Sequence, residues 1–117
     1  MRAAIDQFSF LIASYDIDEV FKIPYQRTTK ARLLLNDGCR LNAQESSFLD
    51  TGRWKYSYQW MNPDNSLIIR WDNADHHPEI ATHPNHKHVG SDVNVQPSEP
   101  MTLEMVLTFI AAQITSD

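Results

Sequence analysis

The feature that most constrains the fold is a run of aromatic side chains at every second position, followed by a turn at residues 62–65 and a second alternating run. The alternating residues are Trp54, Tyr56, Tyr58, Trp60, Leu67, Ile69 and Trp71. Successive side chains of a strand point to opposite faces, so these residues share one face of a β-hairpin. Because aromatic side chains of this size dominate protein cores, we expect that face to be buried and the opposite face to be open.

A four-residue loop at this turn determines which residues face each other across the hairpin. The predicted pairs are Trp60 with Leu67, Tyr58 with Ile69, Tyr56 with Trp71, Lys55 with Asp72, and Ser57 with Arg70. Matched aromatic residues on one face and opposite charges on the other favour this register.

A second hairpin is predicted around Asn36-Asp37-Gly38. The apolar residues that alternate on its two sides are Ala31, Leu33, Leu35, Cys39, Leu41 and Ala43. A three-residue loop with Gly38 in the left-handed region places all of them on one face.

The two ends of the chain carry apolar residues at helical spacing. Ile5, Phe8, Ile12 and Tyr15 predict a helix over residues 3–15. Near the C-terminus, a stripe that begins after Thr102 predicts an amphipathic helix, with Thr102 as its N-cap and Glu104 in its first turn. The apolar residues of the stripe are Leu103, Val106, Leu107, Ile110, Ala111 and Ile114.

The remaining segments are less regular. Residues 20–26 resemble a strand, which Pro24 would place at a sheet edge. Four prolines within residues 73–100 predict an irregular segment, with a short strand at residues 92–95. We therefore expect a single α+β domain over residues 1–117: an antiparallel sheet of about four to six strands, built from hairpins, on which an N-terminal and a C-terminal helix pack.

Composition narrows the class of protein. The net charge of −5 argues against binding nucleic acid over the whole surface, yet residues 22–55 hold seven basic and three acidic residues. This segment is either a phosphate-binding face or a solvated sheet surface. A lone Cys39 and the lack of an apolar leader at the first residues favour a cytoplasmic protein.

All five histidines of the chain lie between positions 76 and 88, beside Arg70, Asp72 and Lys87. They are His76, His77, His83, His86 and His88. Histidine exchanges protons near neutral pH and is the commonest metal ligand, so this segment is the candidate chemical site.

Three interpretations of the segment are open. His86 and His88, with His76 or His77, would supply three nitrogens for a zinc hydrolase, although no cysteine pair supports a metal site. Alternatively, histidines would cleave RNA without a metal, by removing the proton of a ribose 2′-hydroxyl while cations stabilise the phosphate. In the third interpretation the histidines are structural and the loop only binds a partner protein. We expect no metal cofactor.

The same residues resemble a known family. The segment Arg70-Trp-Asp-Asn-Ala74, the segment His76-His77-Pro78, the residues Thr82 and Pro84, and the segment His86-Lys-His88 are similar to the motif of TumE toxins. The preceding Tyr56-Ser-Tyr58 and the closing amphipathic helix agree with that family as well. Three positions depart from its pattern: Asp75 stands for a proline, His83 for a phenylalanine and Asn85 for a histidine.

The resemblance implies the toxin of a type II toxin–antitoxin system that acts on RNA or translation, with a helix-turn-helix antitoxin as its partner. The leading hypothesis is a metal-independent endoribonuclease. His86 or His88 would act as general base or acid, His76 would be its partner, and Lys87 would stabilise the phosphate. The residues expected to bind or orient the substrate are Arg70, Asp72, Asn73, His77 and Lys55.

Overall fold

The computed structural model of the protein describes residues 1–22 and 25–114, which form an antiparallel sheet with strands in the order of the sequence. The strands are β1 (Ile12–Lys22), β2 (Gln26–Leu35), β3 (Arg40–Phe48), β4 (Arg53–Met61), β5 (Leu67–Asp72), β6 (His86–Val89) and β7 (Val95–Pro97). Helix α1 (Arg2–Gln7) precedes the sheet and helix α2 (Leu103–Ile114) follows it. The predicted α+β class is confirmed, and the described residues form seven strands rather than about four to six.

Both helices contribute to a hydrophobic core on one face of the sheet. Leu107 and Ile110 of α2 are fully buried in it, together with Tyr58 of β4. The rings of Trp60 and Trp71 meet the Phe109 ring edge-on, with centroids 6.2 and 5.6 Å apart. Helix α2 therefore covers the aromatic face of the hairpin, as the sequence predicts.

The predicted start of α2 is also confirmed. The Met105 N–H donates a hydrogen bond of 3.2 Å to Thr102 Oγ1, and Glu104 lies in the first turn. A threonine in this position satisfies a backbone donor that the helix itself leaves free.

In the aromatic hairpin the predicted faces are right and the predicted register is wrong. Tyr58 faces Trp71, Trp60 faces Ile69 and Ser57 faces Asp72, a shift of two residues. A shift of two keeps every side chain on its own face. Because Asp72 pairs with Ser57, it does not face Lys55, which pairs with Ser46 of β3 on the other side of β4. At the end of the aromatic stripe, Trp54 is 38% exposed rather than buried.

The hairpin around Gly38 agrees with the prediction. Leu33 faces Leu41 and Ala31 faces Ala43, and all four are buried. Gly38 has a φ of 89°, which side chains other than glycine rarely adopt.

The prediction for the N-terminal part is wrong in two places. The helix ends at Gln7, a single 3₁₀ turn (Ser9–Leu11) follows, and β1 begins at Ile12. From there Asp16 and Asp18 alternate with apolar residues, and both carboxylates pair with Arg32 of β2, so a strand forms instead. The strand expected over residues 20–26 is divided between β1 and β2, and Pro24 lies outside the described residues.

The segment expected to be irregular contains two strands. β6 carries the histidine pair, and β7 begins at Val95, where the strand expected at residues 92–95 was to end. No helix in the described part of the chain is both long and apolar enough to cross a membrane.

Candidate functional site

A pocket lies on the polar face of the sheet, opposite α2, where the loop of residues 73–85 folds against the strands. Its volume is about 490 Å³. The loop is fastened at its start by the side-chain amide of Asn73, which accepts from the Tyr56 N–H at 2.9 Å and donates to the Trp54 carbonyl at 2.9 Å. These two bonds continue the ladder of β4, so Asn73 positions the loop through the backbone.

Asp72 is the centre of the site and is 7% exposed. Its Oδ1 lies 2.9 Å from Nε2 of His86 and accepts the Ala74 N–H at 3.0 Å. Its Oδ2 lies 3.4 Å from Nε2 of His88 and 3.4 Å from Nε of Arg70. A buried carboxylate needs such partners, because burial of an unpaired charge is costly.

His86 and His88 project to the same side of β6, as the sequence predicts for a His-x-His pair on a strand. His77, from the loop, completes a cluster of three rings. The ring centroid of His86 lies 5.0 Å from the centroid of His77 and 5.0 Å from that of His88. The centroids of His77 and His88 are 5.8 Å apart. His86 and His88 are buried and His77 is half-buried.

In each of the three clustered histidine rings, Nδ1 lies close to a hydrogen-bond acceptor. Nδ1 of His86 lies 2.9 Å from the Pro84 carbonyl, and Nδ1 of His88 lies 2.9 Å from the Asp92 carbonyl. Nδ1 of His77 lies 3.1 Å from Oε1 of Glu79. A backbone N–H and His77 lower the pKa of Glu79. The orientation of the rings is therefore set by the surrounding loop and strand ends.

The open part of the pocket presents two exposed nitrogen-bearing side chains. His76 and Lys55 are exposed and line it, and within residues 1–22 and 25–114 neither makes a side-chain hydrogen bond or ion pair. Arg70 also lines it, but its guanidinium is paired with Asp72 and with Asp92, whose Oδ1 is 2.8 Å from Nη1 of Arg70. The wall across from the histidines is polar, formed by Gln44 and Ser46 of β3.

The pocket is lined by all of the candidate residues except Lys87. Among them, Asn73 uses its side chain to bind the backbone of β4. Lys87 faces Trp71 across the β5–β6 ladder, so its side chain belongs to the face of the core. His83 lies outside the cluster, with Nε2 2.7 Å from Oδ1 of Asp75 and Nδ1 3.2 Å from the His77 carbonyl.

Sequence reasoning missed four contributors to the site: Gln44, Ser46, Glu79 and Asp92. The first two had a signal, since they alternate with the buried Leu41 and Ala43 and must lie on the polar face. Glu79 and Asp92 lie in irregular segments, where no periodicity indicates the direction of a side chain.

Tyr56 and Tyr58, two buried tyrosines of β4, each donate a hydrogen bond through the hydroxyl. The Tyr56 hydroxyl donates to Oδ1 of Asn85 at 2.8 Å, and the Tyr58 hydroxyl donates to Oε2 of Glu45 at 2.5 Å. Burial raises the pKa of Tyr56, and the Asp72 carboxylate raises it further. Burial, followed by the contact with Glu45, raises the pKa of Tyr58 strongly.

The fold and the site define a small α+β protein with a buried histidine–aspartate cluster at one side of an open polar pocket. The sequence profile of the family Toxin TumE matches residues 1–114. The chain therefore belongs to the TumE family and has the role of a toxin. No curated protein and no solved structure shows significant similarity to it.

Proposed function

We propose that this toxin is an endoribonuclease whose cleavage step uses side chains of the open pocket and no metal ion. The observation that carries the proposal is the placement of His76, Lys55 and Arg70 around one pocket in a toxin of this family. Its volume of about 490 Å³ is within the range of roughly 300–1,000 Å³ that is common for small-molecule sites, enough for a nucleotide.

The proposed chemistry assigns one role to each group. His76 removes the proton of a ribose 2′-hydroxyl, and the oxygen attacks the adjacent phosphorus. The bond from phosphorus to the 5′-oxygen breaks, and the Lys55 ammonium gives that oxygen a proton. The products are a 2′,3′-cyclic phosphate and a free 5′-hydroxyl. Arg70 stabilises the charge on the phosphoryl oxygens.

The buried histidines have a different part in this proposal. His86 and His88 have both ring nitrogens close to acceptors, so neither ring is open to a ribose hydroxyl without rearrangement. Together with Asp72 they position Arg70 and the loop that carries His76. They are positioning residues, whereas the sequence alone favoured them as acid and base.

RNA cleavage tests the proposal directly. Purified protein without an affinity tag is incubated with labelled single-stranded RNA in buffer free of added divalent ions. We expect 2′,3′-cyclic phosphate ends, and no cleavage where a 2′-deoxynucleotide replaces the scissile residue. His76→Ala should lower the rate by roughly 100-fold or more. His83→Ala, which removes an exposed histidine of the same loop, should stay close to wild type.

The result that would overturn the proposal is intact RNA with protein that still arrests growth when expressed alone. The toxin would then act as a binding module on another target. Equal loss of activity in His76→Ala and His83→Ala, with both variants folded, would remove His76 from the mechanism.

We further propose that the toxin belongs to a type II system in the cytoplasm and that a helix-turn-helix antitoxin neutralises it. The family membership supports an antitoxin partner. Co-expression with the product of the neighbouring gene should restore growth and yield a complex that copurifies. Restoration by an RNA from that locus would contradict the type II assignment.

A further inference from the structure

The three clustered histidines offer one ligand atom each within 4.8 Å of one another. Around a zinc ion with Zn–N distances of about 2.0–2.1 Å, tetrahedral ligands lie roughly 3.3 Å apart. Side-chain shifts of about 1 Å would close that difference. We propose that His77, His86 and His88 bind one zinc ion, with the Asp72 carboxylate as the fourth ligand.

The orientation of the rings supports the proposal. Histidines that bind a metal through one nitrogen donate the other N–H to a carboxylate or a backbone carbonyl. Each ring of this cluster has such a partner at Nδ1: Glu79 for His77, the Pro84 carbonyl for His86, and the Asp92 carbonyl for His88. Nε2 of each ring is left as the ligand atom.

The positions of the hydrogens on the rings of His86 and His88 follow from these same partners. A backbone carbonyl only accepts, so Nδ1 of His86 and Nδ1 of His88 carry the hydrogens. In the neutral tautomer each Nε2 is then a lone pair. Both lone pairs face the carboxylate of Asp72, at 2.9 and 3.4 Å. With neutral rings, three electron-rich groups meet at this buried carboxylate, and a dication bound among them would satisfy all three.

The charges around the rings match a dication. The network of ion pairs contains the carboxylates of Asp72, Glu79 and Asp92 and the guanidinium of Arg70. The excess of negative charge is what a divalent ion needs. Imidazole nitrogens with one carboxylate suit zinc better than magnesium or calcium, which prefer oxygen ligands.

Four protein ligands make a closed site, which is typical of structural zinc. The ion would fasten the loop, through His77, to β5 and β6, through Asp72, His86 and His88. It would thereby hold His76 over the pocket without taking part in cleavage. This inference departs from the sequence-based expectation of a protein without metal, and it does not depend on the proposed RNA cleavage.

Metal analysis of protein purified without a histidine tag tests the inference. We expect about one zinc per chain, and a lower melting temperature after removal of zinc by a chelator, restored by added Zn²⁺. Cobalt(II) added to the metal-free protein should give the intense visible absorption of a tetrahedral site. Wild-type protein that neither contains zinc nor binds Zn²⁺ or Co²⁺ would overturn the proposal, whatever the variants do.

Two neighbouring histidines provide a matched pair of variants. His77→Ala removes a ligand from the loop, while His76→Ala removes an exposed ring one position earlier. Loss of the group that accepts the second N–H of a metal-binding histidine weakens metal binding by about 10–100-fold. Because His77→Ala removes the ligand itself, it should weaken zinc binding by more than that. His76→Ala should keep the affinity of the wild type. Equal zinc affinity in His77→Ala and wild type would exclude His77 as a ligand and overturn the proposed site.

The zinc site and the RNA cleavage can fail separately. Protein that cleaves RNA but does not bind zinc would overturn the site and leave the proposed function. Protein that binds one zinc, releases it in His77→Ala and leaves RNA intact would support the site and overturn the proposed function.

Discussion

Oδ1 of Asp75 lies 2.7 Å from Nε2 of His83, and these are two of the three positions at which the chain departs from the TumE motif. The two departures Asp75 and His83 are therefore in direct contact with each other. The carboxylate of Asp75 adds a negative charge next to His76, and the ring of His83 is the partner that contacts it. At the third departure, the side chain of Asn85 accepts a hydrogen bond from the hydroxyl of Tyr56. All three therefore have partners within the loop or the adjoining strand.

The first prediction is that the pair of Asp75 and His83 contributes little to stability. The side chains are 78% and 30% exposed, and exposed ion pairs contribute about 0–1 kcal/mol. A double-mutant cycle with Asp75→Ala and His83→Ala, measured by urea unfolding, should give a coupling free energy below about 1 kcal/mol. A coupling above about 2 kcal/mol would show that the loop depends on this pair.

The second prediction concerns the aromatic stripe. Trp71 is 3% exposed and its ring packs against Phe109, so Trp71→Ala should cost about 3–5 kcal/mol of unfolding free energy. Trp54→Ala is the matched control. Because Trp54 is 38% exposed, its loss should cost only about 1 kcal/mol. Equal costs in chemical denaturation would contradict the burial of Trp71.

The third prediction is a loss of stability at high pH. The pKa of Tyr58 is raised in the folded protein by burial and by Glu45, so the unfolded chain loses this proton first. The stabilising contribution is complete below a pH of about 10, the pKa of an unfolded tyrosine, and declines as the pH rises above it. The slope should approach roughly 1.4 kcal/mol per pH unit for each such tyrosine.

Urea unfolding at several pH values from neutral to strongly alkaline measures this decline. Tyr58→Phe has no phenol to titrate, so its stability should fall less steeply. At neutral pH the same variant should be about 1–3 kcal/mol less stable, because Glu45 loses a hydrogen-bond partner. An identical slope in Tyr58→Phe and wild type would assign the alkaline transition to other groups.

The sequence predicted those parts of the fold that local patterns determine. Period-two alternation fixed the faces of β2 to β5, and Gly38 fixed a turn whose left-handed φ excludes most residues. Thr102 marked the start of α2, because a threonine there supplies an acceptor to the first turn. In each case the deciding interaction lies within a few residues in the chain.

The register of the aromatic hairpin was not predictable in this way. Asn65 adopts a left-handed φ of 69°, and the Asn62 N–H bonds the Ser66 carbonyl, so the loop is shorter than the predicted one. A further residue, Ile68, is skipped between the pairs of Met61 with Leu67 and Trp60 with Ile69. The Ile68 carbonyl accepts from the N–H of Gly90, a contact with a distant part of the chain.

In the site, too, the features set by local patterns were predictable and those set by distant contacts were not. The His-x-His pair on one side of β6 was predictable from strand geometry. The choice of His77 over His76 as the third member of the cluster was not, because it depends on how the loop of residues 73–85 closes. That closure is set by Asn73, which bonds the backbone of β4.

The last prediction separates two lysines that the sequence treats alike. Lys55 lies on the polar face and lines the pocket, whereas Lys87 faces Trp71 on the side of the core. If RNA is cleaved in the pocket, Lys55→Met should lower kcat/KM by roughly 100-fold or more, because the leaving 5′-oxygen loses its proton donor. Lys87→Met should change kcat/KM by less than about twofold, because no substrate in the pocket reaches that face.

Both variants should be compared at matched folded fractions, since Lys87 is half-buried and its replacement also alters packing. The salt dependence gives a second readout. Loss of Lys55 should flatten the decrease of RNA binding with rising salt, because one fewer counterion is displaced from the phosphates. Loss of Lys87 should leave that slope unchanged. A folded Lys87→Met that no longer cleaves RNA, beside an active Lys55→Met, would move the substrate to the opposite face of the sheet.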